Sequence, residues 1–296
     1  MEAIWQWGIN LIIVIQQVHG PVLDSIFRAI TLMGDEQFYL LLFPVIMWCI
    51  DYSFGAVLAV FFMLSNSVNI MLKELFQHPR PFDLNPGLKL SEADSYGMPS
   101  GHAQLSVTAW GAIAVRVRKT WFTIAAIIIV LLIGISRIYL GVHFPTDVFA
   151  GWIIGLILLA VYILAKSPLE KWLSGLNFWL QLLVAVGVPL LLLLLNQTND
   201  AITSAGTLFG IAVGLVFARR YVSFSVRGTW WHRGLRFLIG FIVVLALYVG
   251  LKAVFPPDGT VSGAIFRFLR YALIGGWIVL GAPWLFRLMR LAPAAN

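Results

Sequence analysis

The chain has 296 residues, 60% hydrophobic and 11% charged, with a formal net charge of +7 and a mean hydropathy of +0.90. A water-soluble domain is near half apolar and a quarter charged, so this composition excludes one and points to an integral membrane protein. The positive charge does not indicate nucleic acid, because the basic residues cluster in short loops between apolar runs, where they set membrane orientation.

Residues 1–34 are apolar but broken by Asn10, Gln16, Gln17, His19, Asp24 and Arg28. The unbroken part, Leu11–Ile15, is too short to span, so helices lying in the interface are expected. Met1–Trp7 carries no basic residue, and a cleavable signal peptide is not expected. Asp35, followed by Glu36, reads as the N-cap of a first span over 37–50. A second span covers 54–76, and its Ser65, Asn66, Ser67 and Asn69 should face other helices rather than lipid. The single cysteine, Cys49, excludes an internal disulfide.

Residues 77–101 form a long polar loop, a length that is usually functional or disordered. Spans three and four cover 102–117 and 121–140. A fifth runs from Thr146 to Ala165, with Pro145 fitted to its first turn. Four more are expected at 178–195, 201–218, 235–255 and 265–288. The fold class is therefore all-α, a polytopic membrane helix bundle of about nine transmembrane helices. It divides into interfacial N-terminal helices (1–34), a membrane core (35–166) and additional transmembrane helices (167–296).

Basic residues place the loops. Arg116, Arg118 and Lys119, then Lys166 and Lys171, then Arg219, Arg220, Arg227, Arg233 and Arg236, then Arg287 and Arg290 all fall on one side if the spans alternate. That side is cytoplasmic. The loops at 77–101, 141–146, 196–200 and 256–263 then lie outside, or in the lumen of an internal membrane.

Three polar segments on that outer side carry the chemistry. Met98-Pro99-Ser100-Gly101-His102 is a turn opening into an apolar helix, whose first N–H groups and positive dipole end make a seat for an anion. His102 at its rim suits a general acid, because a protonated imidazole is favoured beside phosphate. Ser100 and the Gly101 and His102 amides can donate to phosphate oxygens. Upstream, Lys73 supplies a point charge and Arg80, between Pro79 and Pro81, a planar fork that fits two phosphate oxygens. His78 reads as a loop histidine. Downstream, His143 and Asp147 are four apart on one helical face, so the carboxylate can fix the ring and leave the other nitrogen free to attack phosphorus. Arg137, at a span end, needs an anionic partner. Taken alone, the downstream segment would equally suit an Arg–Asp pair beside a satisfied histidine; the three segments together are far more specific. No carboxylate cluster suitable for a metal accompanies them, and three cations can face the charge on the phosphoryl oxygens.

These segments match the pattern K-x6-R-P, P-S-G-H and S-R-x5-H-x3-D, and the sequence over about 34–165 resembles the type 2 phosphatidic acid phosphatase (PAP2) family. The resemblance implies that Lys73, Arg80, Ser100, Gly101 and Arg137 hold phosphate. It implies that His102 is the acid, His143 the nucleophile and Asp147 its orienting group. It also implies a phosphohistidine intermediate with no metal or other cofactor. Within the family, the stretch from Gly34 to Tyr39, Trp48 to Asp51, and Tyr96 to Ser100 are similar to the sphingosine-1-phosphate phosphatase branch. The expected function is a metal-independent lipid phosphate phosphatase, with a lipid phosphate and the membrane lipids as partners and no nucleic acid. An isoprenoid phosphate or diphosphate, phosphatidic acid or phosphatidylglycerol phosphate are alternative substrates, and a lipid phosphotransferase is an alternative outcome of the same site. The expected location is a bacterial inner membrane, or the endoplasmic reticulum in a eukaryote.

Overall fold

The computed structural model describes residues 2–257 and 260–293. Among the described residues every regular element is a helix. The α-helices, in chain order, are α1 Glu2–Gln16, α2 Pro21–Leu32, α3 Glu36–Val45, α4 Tyr52–Phe76, α5 Pro81–Leu84, α6 Gly101–Val117, α7 Thr120–Tyr139, α8 Pro145–Gly175, α9 Phe178–Leu195, α10 Asn199–Tyr221, α11 Trp230–Leu245, α12 Leu251–Val254, α13 Val261–Gly276 and α14 Ala282–Leu288. The expected outer loop at 256–263 includes Asp258 and Gly259, which lie outside the described residues.

Seven helical stretches are long and apolar enough to cross a bilayer, and an eighth arises if Pro21–Leu32 and Glu36–Ile50, bent by 49°, form one span. The remaining expected span is α6. Its 17 residues rise about 25 Å, short of the roughly 30 Å hydrocarbon core. It is lined with buried polar groups, among them Gln104, Ser106 and Thr108.

The chain packs as two compact units, Met1–Tyr39 with Val68–Lys166, and Leu40–Ser67 with Ser167–Asn296. In the first unit α1 and α2 are not merely surface helices. Ile9 and Ile12 of α1 are buried in one apolar cluster with Leu88 and Phe144. Gln16 at the end of α1 is buried, and its Nε2 donates to Leu88 O (3.0 Å) and Tyr139 O (2.7 Å). Phe27 of α2 stacks on Tyr139 at 4.1 Å, and the Tyr139 hydroxyl donates to Asp24 Oδ1 at 2.5 Å. The two N-terminal helices thus brace the end of α7 and the loop that follows it.

α8 approaches α6 through Gly151 and Gly155, one turn apart. A Cβ at Gly151 would sit 2.6 Å from Ser100 O, and one at Gly155 2.8 Å from Gln104 O. Small residues at this spacing let two helix backbones touch where apolar burial gives no driving force. In the second unit the same device joins α10 to α13: a Cβ at Gly206 would lie 2.6 Å from Phe268 O. Ser65 and Ser67 of α4 are buried there, and Ser67 Oγ lies 3.1 Å from Ser204 Oγ. The buried Arg236 donates to the carbonyls of His232, Ser225, Val226 and Arg227, which satisfies a cation that lipid could not.

Candidate active site

The turn before α6 is built by capping. Ser100 precedes the helix, and its Oγ accepts from the Ala103 amide at 3.5 Å. By helix geometry the Gly101 and His102 amides have no carbonyl partner within the helix and point back at the turn. Asn69 of α4 steadies the turn: its Nδ2 donates to Gln104 Oε1 at 2.9 Å and reaches Pro99 O at 3.4 Å. A Cβ at Gly101 would lie 3.1 Å from Asn69 Oδ1, so a larger residue would press on that support. His102 Nε2 lies 2.5 Å from Asp35 Oδ1.

Arg80 is buried and organises the long loop around itself. Its Nε donates to Ser95 O (2.8 Å), its Nη1 to Val142 O (2.7 Å) and its Nη2 to Asp94 O (2.5 Å). The same Nη1 stands 3.3 Å from His143 Nε2. One guanidinium therefore ties residues 94–95 to the loop that carries His143. Lys73 Nζ donates to Ser95 Oγ at 2.8 Å. Arg137 is buried; its Nη1 donates to Thr31 Oγ1 at 2.8 Å, and its Nε is buried with no hydrogen-bond partner among the described residues.

His143 stands in the loop between α7 and α8. Gly141 at φ +70° turns the chain there, and the Val142 and His143 amides both donate to Arg137 O, at 3.2 and 3.3 Å. His143 Nδ1 is 3.5 Å from Asp147 Oδ2, at the outer limit of a hydrogen bond. Asp147 has no exposed side chain, and the same Oδ2 accepts from the Phe144 amide at 2.9 Å. Its Oδ1 lies 3.2 Å from His78 Nδ1. The Ser100 amide donates to Asp147 O at 2.9 Å, which pins the α6 turn directly to the first turn of α8. Burial pushes the His143 imidazole well below the ordinary 6.5; Asp147 opposes the shift and Arg80 and Arg137 add to it. The ring is thus held neutral, with Nε2 turned from the carboxylate.

Lys73, Arg80, Gly101, His102, Arg137 and His143 all line one cavity of about 460 Å³. The two other residues expected at the site, Asp147 and Ser100, do not line it: Asp147 stands behind His143, and Ser100 is fully buried, with its Oγ on the helix cap. Sequence reasoning missed Asp35, read only as a helix cap, and Thr31. An acid stranded between two apolar runs was the signal for Asp35. It also missed the Asp94 and Ser95 carbonyls, which nothing in the sequence marks. His78, taken for a loop histidine, is beside Asp147. Among the described residues no group of three or more His, Cys, Asp or Glu side chains is arranged to hold a metal ion.

Comparison with known proteins gives the following. The profile of the PAP2 superfamily matches residues 54–170, and that of the "PAP2 superfamily phosphatase, transmembrane extension" matches 202–294. Phosphatidylglycerophosphatase B of Bacillus subtilis is 33% identical over 168 residues, which cover 52% of this chain and 79% of that protein. Undecaprenyl-diphosphatase of Sulfolobus acidocaldarius is 34% identical over 122 residues, 40% of this chain and 58% of the relative. A probable sphingosine-1-phosphate phosphatase of Dictyostelium discoideum is 29% identical over 164 residues, 50% of this chain and 40% of the relative.

Proposed function

The chain belongs to the PAP2 superfamily, and from that premise we propose that it is an integral membrane phosphatase releasing phosphate from a lipid phosphomonoester. The observation that carries this reading is the shared cavity, in which the imidazoles of His102 and His143 and the cations of Lys73, Arg80 and Arg137 line the same space. A headgroup phosphate there meets Lys73, Arg80, Arg137 and the amides at the start of α6. His143 Nε2 attacks phosphorus, and an N–P bond forms as the P–O bond to the lipid breaks. The proton of His102 goes to the departing alkoxide. Water then attacks the phosphohistidine, gives its proton to His102, and the N–P bond breaks. The cations balance the charge on the phosphoryl oxygens, so no step needs a metal.

The substrate proposed is a long-chain lipid phosphate of the sphingosine-1-phosphate type, for which the likeness in the 34–51 and 96–100 stretches speaks. Relatives named for undecaprenyl diphosphate and phosphatidylglycerophosphate keep those lipids in the test. We place the site on the extracytoplasmic or lumenal side from the charge rule applied to alternating spans in the sequence.

The test is a panel of lipid phosphates and diphosphates offered to the purified chain in detergent with excess EDTA. Phosphate release that ranks one lipid first, persists with EDTA and vanishes in His143→Ala is the expected result. Release that stops on chelation, or that His143→Ala leaves at the wild-type rate, overturns the mechanism. A requirement for an acceptor alcohol makes the chain a transferase instead.

A further inference from the structure

His78 has no part in the chemistry above, yet it is largely buried, with a side chain 13% exposed, and both of its ring nitrogens face a polar group. Trp5 Nε1 lies 2.6 Å from His78 Nε2. An indole nitrogen only donates, so Nε2 must accept, and the one proton of the neutral ring sits on Nδ1. Nδ1 faces Asp147 Oδ1 at 3.2 Å, a close approach without hydrogen-bond alignment, and neither atom has a hydrogen-bond partner among the described residues. The ring plane is fixed by edge contacts with Trp5 (5.3 Å, 69°) and Phe144 (5.8 Å, 79°). The His78 carbonyl accepts from the Gly97 amide at 2.7 Å, which holds the backbone as well.

Asp147 is thereby engaged from both oxygens. Oδ2 takes the Phe144 amide and faces His143; Oδ1 faces His78. We propose that His78, oriented by Trp5, is a positioning residue of the reaction: it holds the Asp147 carboxylate in the rotamer that aims His143 at phosphorus. The inference rests on the reading of His143 as nucleophile. A carboxylate with Oδ1 unheld can swing away from His143, which already stands at 3.5 Å. A misplacement of about 1 Å at a reacting group costs on the order of 100-fold in rate, and losing the group that orients a metal-bound histidine costs about 10–100-fold, the scale taken here for an orienting contact on His143.

The experiment uses the full chain in detergent with its best lipid phosphate, measuring kcat, KM and thermal unfolding for His78→Leu, His78→Asn and Trp5→Phe. His78→Leu is expected to lose about 10–100-fold in kcat with KM within about threefold. His78→Asn places an amide N–H near the lost Nδ1 and is expected to recover most of the rate. Trp5→Phe keeps the edge packing, drops the donor, and is expected to fall in kcat without loss of unfolding temperature. A folded His78→Leu with kcat within about twofold of wild type overturns the proposal, as does an Asn variant no faster than the Leu one, since a packing role would treat both alike. If His78→Leu does not fold, Trp5→Phe decides, and wild-type kcat there overturns the proposal. His143→Ala separates the two levels: if it is inactive while the His78 and Trp5 variants are fully active, only this inference fails. If wild type releases no phosphate, or His143→Ala matches it, the reading beneath fails.

Discussion

His102 Nε2 lies 2.5 Å from Asp35 Oδ1, so the imidazole expected to act as acid has an anionic partner within the cavity that Lys73, Arg80 and Arg137 also line. Burial, and after it the Arg137 charge, lowers the pKa of this imidazole to about 4; the Asp35 carboxylate opposes both by orienting the ring and giving its protonated form a counter-charge. Asp35→Asn keeps the shape and removes the charge. It is expected to lower kcat on an alkyl lipid phosphate by about 10–100-fold, within the range that general acid catalysis supplies. An aryl phosphate, whose leaving group needs little protonation, should lose far less. Measuring both substrates checks the point; equal losses on the two would show that Asp35 is not acting through the acid.

The second prediction concerns pH. Burial holds the His143 imidazole well below its ordinary 6.5, against the opposing effect of Asp147. With the neutral ring as the proposed nucleophile, activity should persist as pH falls through neutrality and fail when His143 takes a proton. The acid limb of kcat/KM, which reports the free enzyme, should therefore lie below pH 6.5. Asp147→Asn removes a group that raises the His143 value, so the limb should move lower still, while kcat falls by roughly 10²–10⁴-fold as orientation is lost. A limb that moves upward in the variant contradicts the assigned partnership.

Arg80 and Lys73 should fail differently. Arg80 spends three donors on the carbonyls of Asp94, Ser95 and Val142, and a lysine cannot reach all three. Arg80→Lys gives up at least one of these bonds, and the buried Val142 carbonyl left unpaired would cost about 1–3 kcal/mol. It is expected to lower the unfolding temperature and kcat/KM together. Lys73 is only partly buried and bonds Ser95 Oγ. Lys73→Gln should raise KM, with little change in unfolding temperature, and should weaken the salt dependence of kcat/KM. Thermal scans beside steady-state kinetics at two ionic strengths distinguish them.

The spans were legible because lipid demands long apolar helices, and the three motif segments because phosphate demands cations and imidazoles. The side chains that complete the site were not. Asp35 has the sequence context of a helix cap, and its carboxylate goes to a residue 67 positions away. His78 sits between Gln77 and Pro79 in a polar loop, where nothing separates a solvated histidine from one meeting Trp5 across 73 residues. Residues 1–34 read as interfacial from their broken apolar runs, yet Gln16, one of the residues that break them, is buried and satisfied by the Leu88 and Tyr139 carbonyls. Periodicity reports which face is apolar, but not which distant backbone group a polar side chain will find.

The close approach of α8 to α6 gives the last prediction. His102 follows Ser100 by two residues, and the Ser100 amide is bonded to Asp147 O, so the distance between the two imidazoles depends on how closely these helices touch. Gly151 sets that distance: an added Cβ would stand 2.6 Å from Ser100 O, a backbone atom that cannot step aside. Gly151→Ala should therefore force the α6 turn away from α8 by a fraction of an ångström or more. Its cost should be about 1–3 kcal/mol in stability, as for other overpacked sites, with a loss of kcat exceeding the loss of folded protein. Gly175→Ala, on the same helix with nothing within 4 Å of the added atom, is the control and should be neutral in both measurements. If Gly151→Ala keeps full kcat, the two histidines are not held in register by this contact, and the α6 turn takes its position from the Ser100–Asp147 bond and from Asn69.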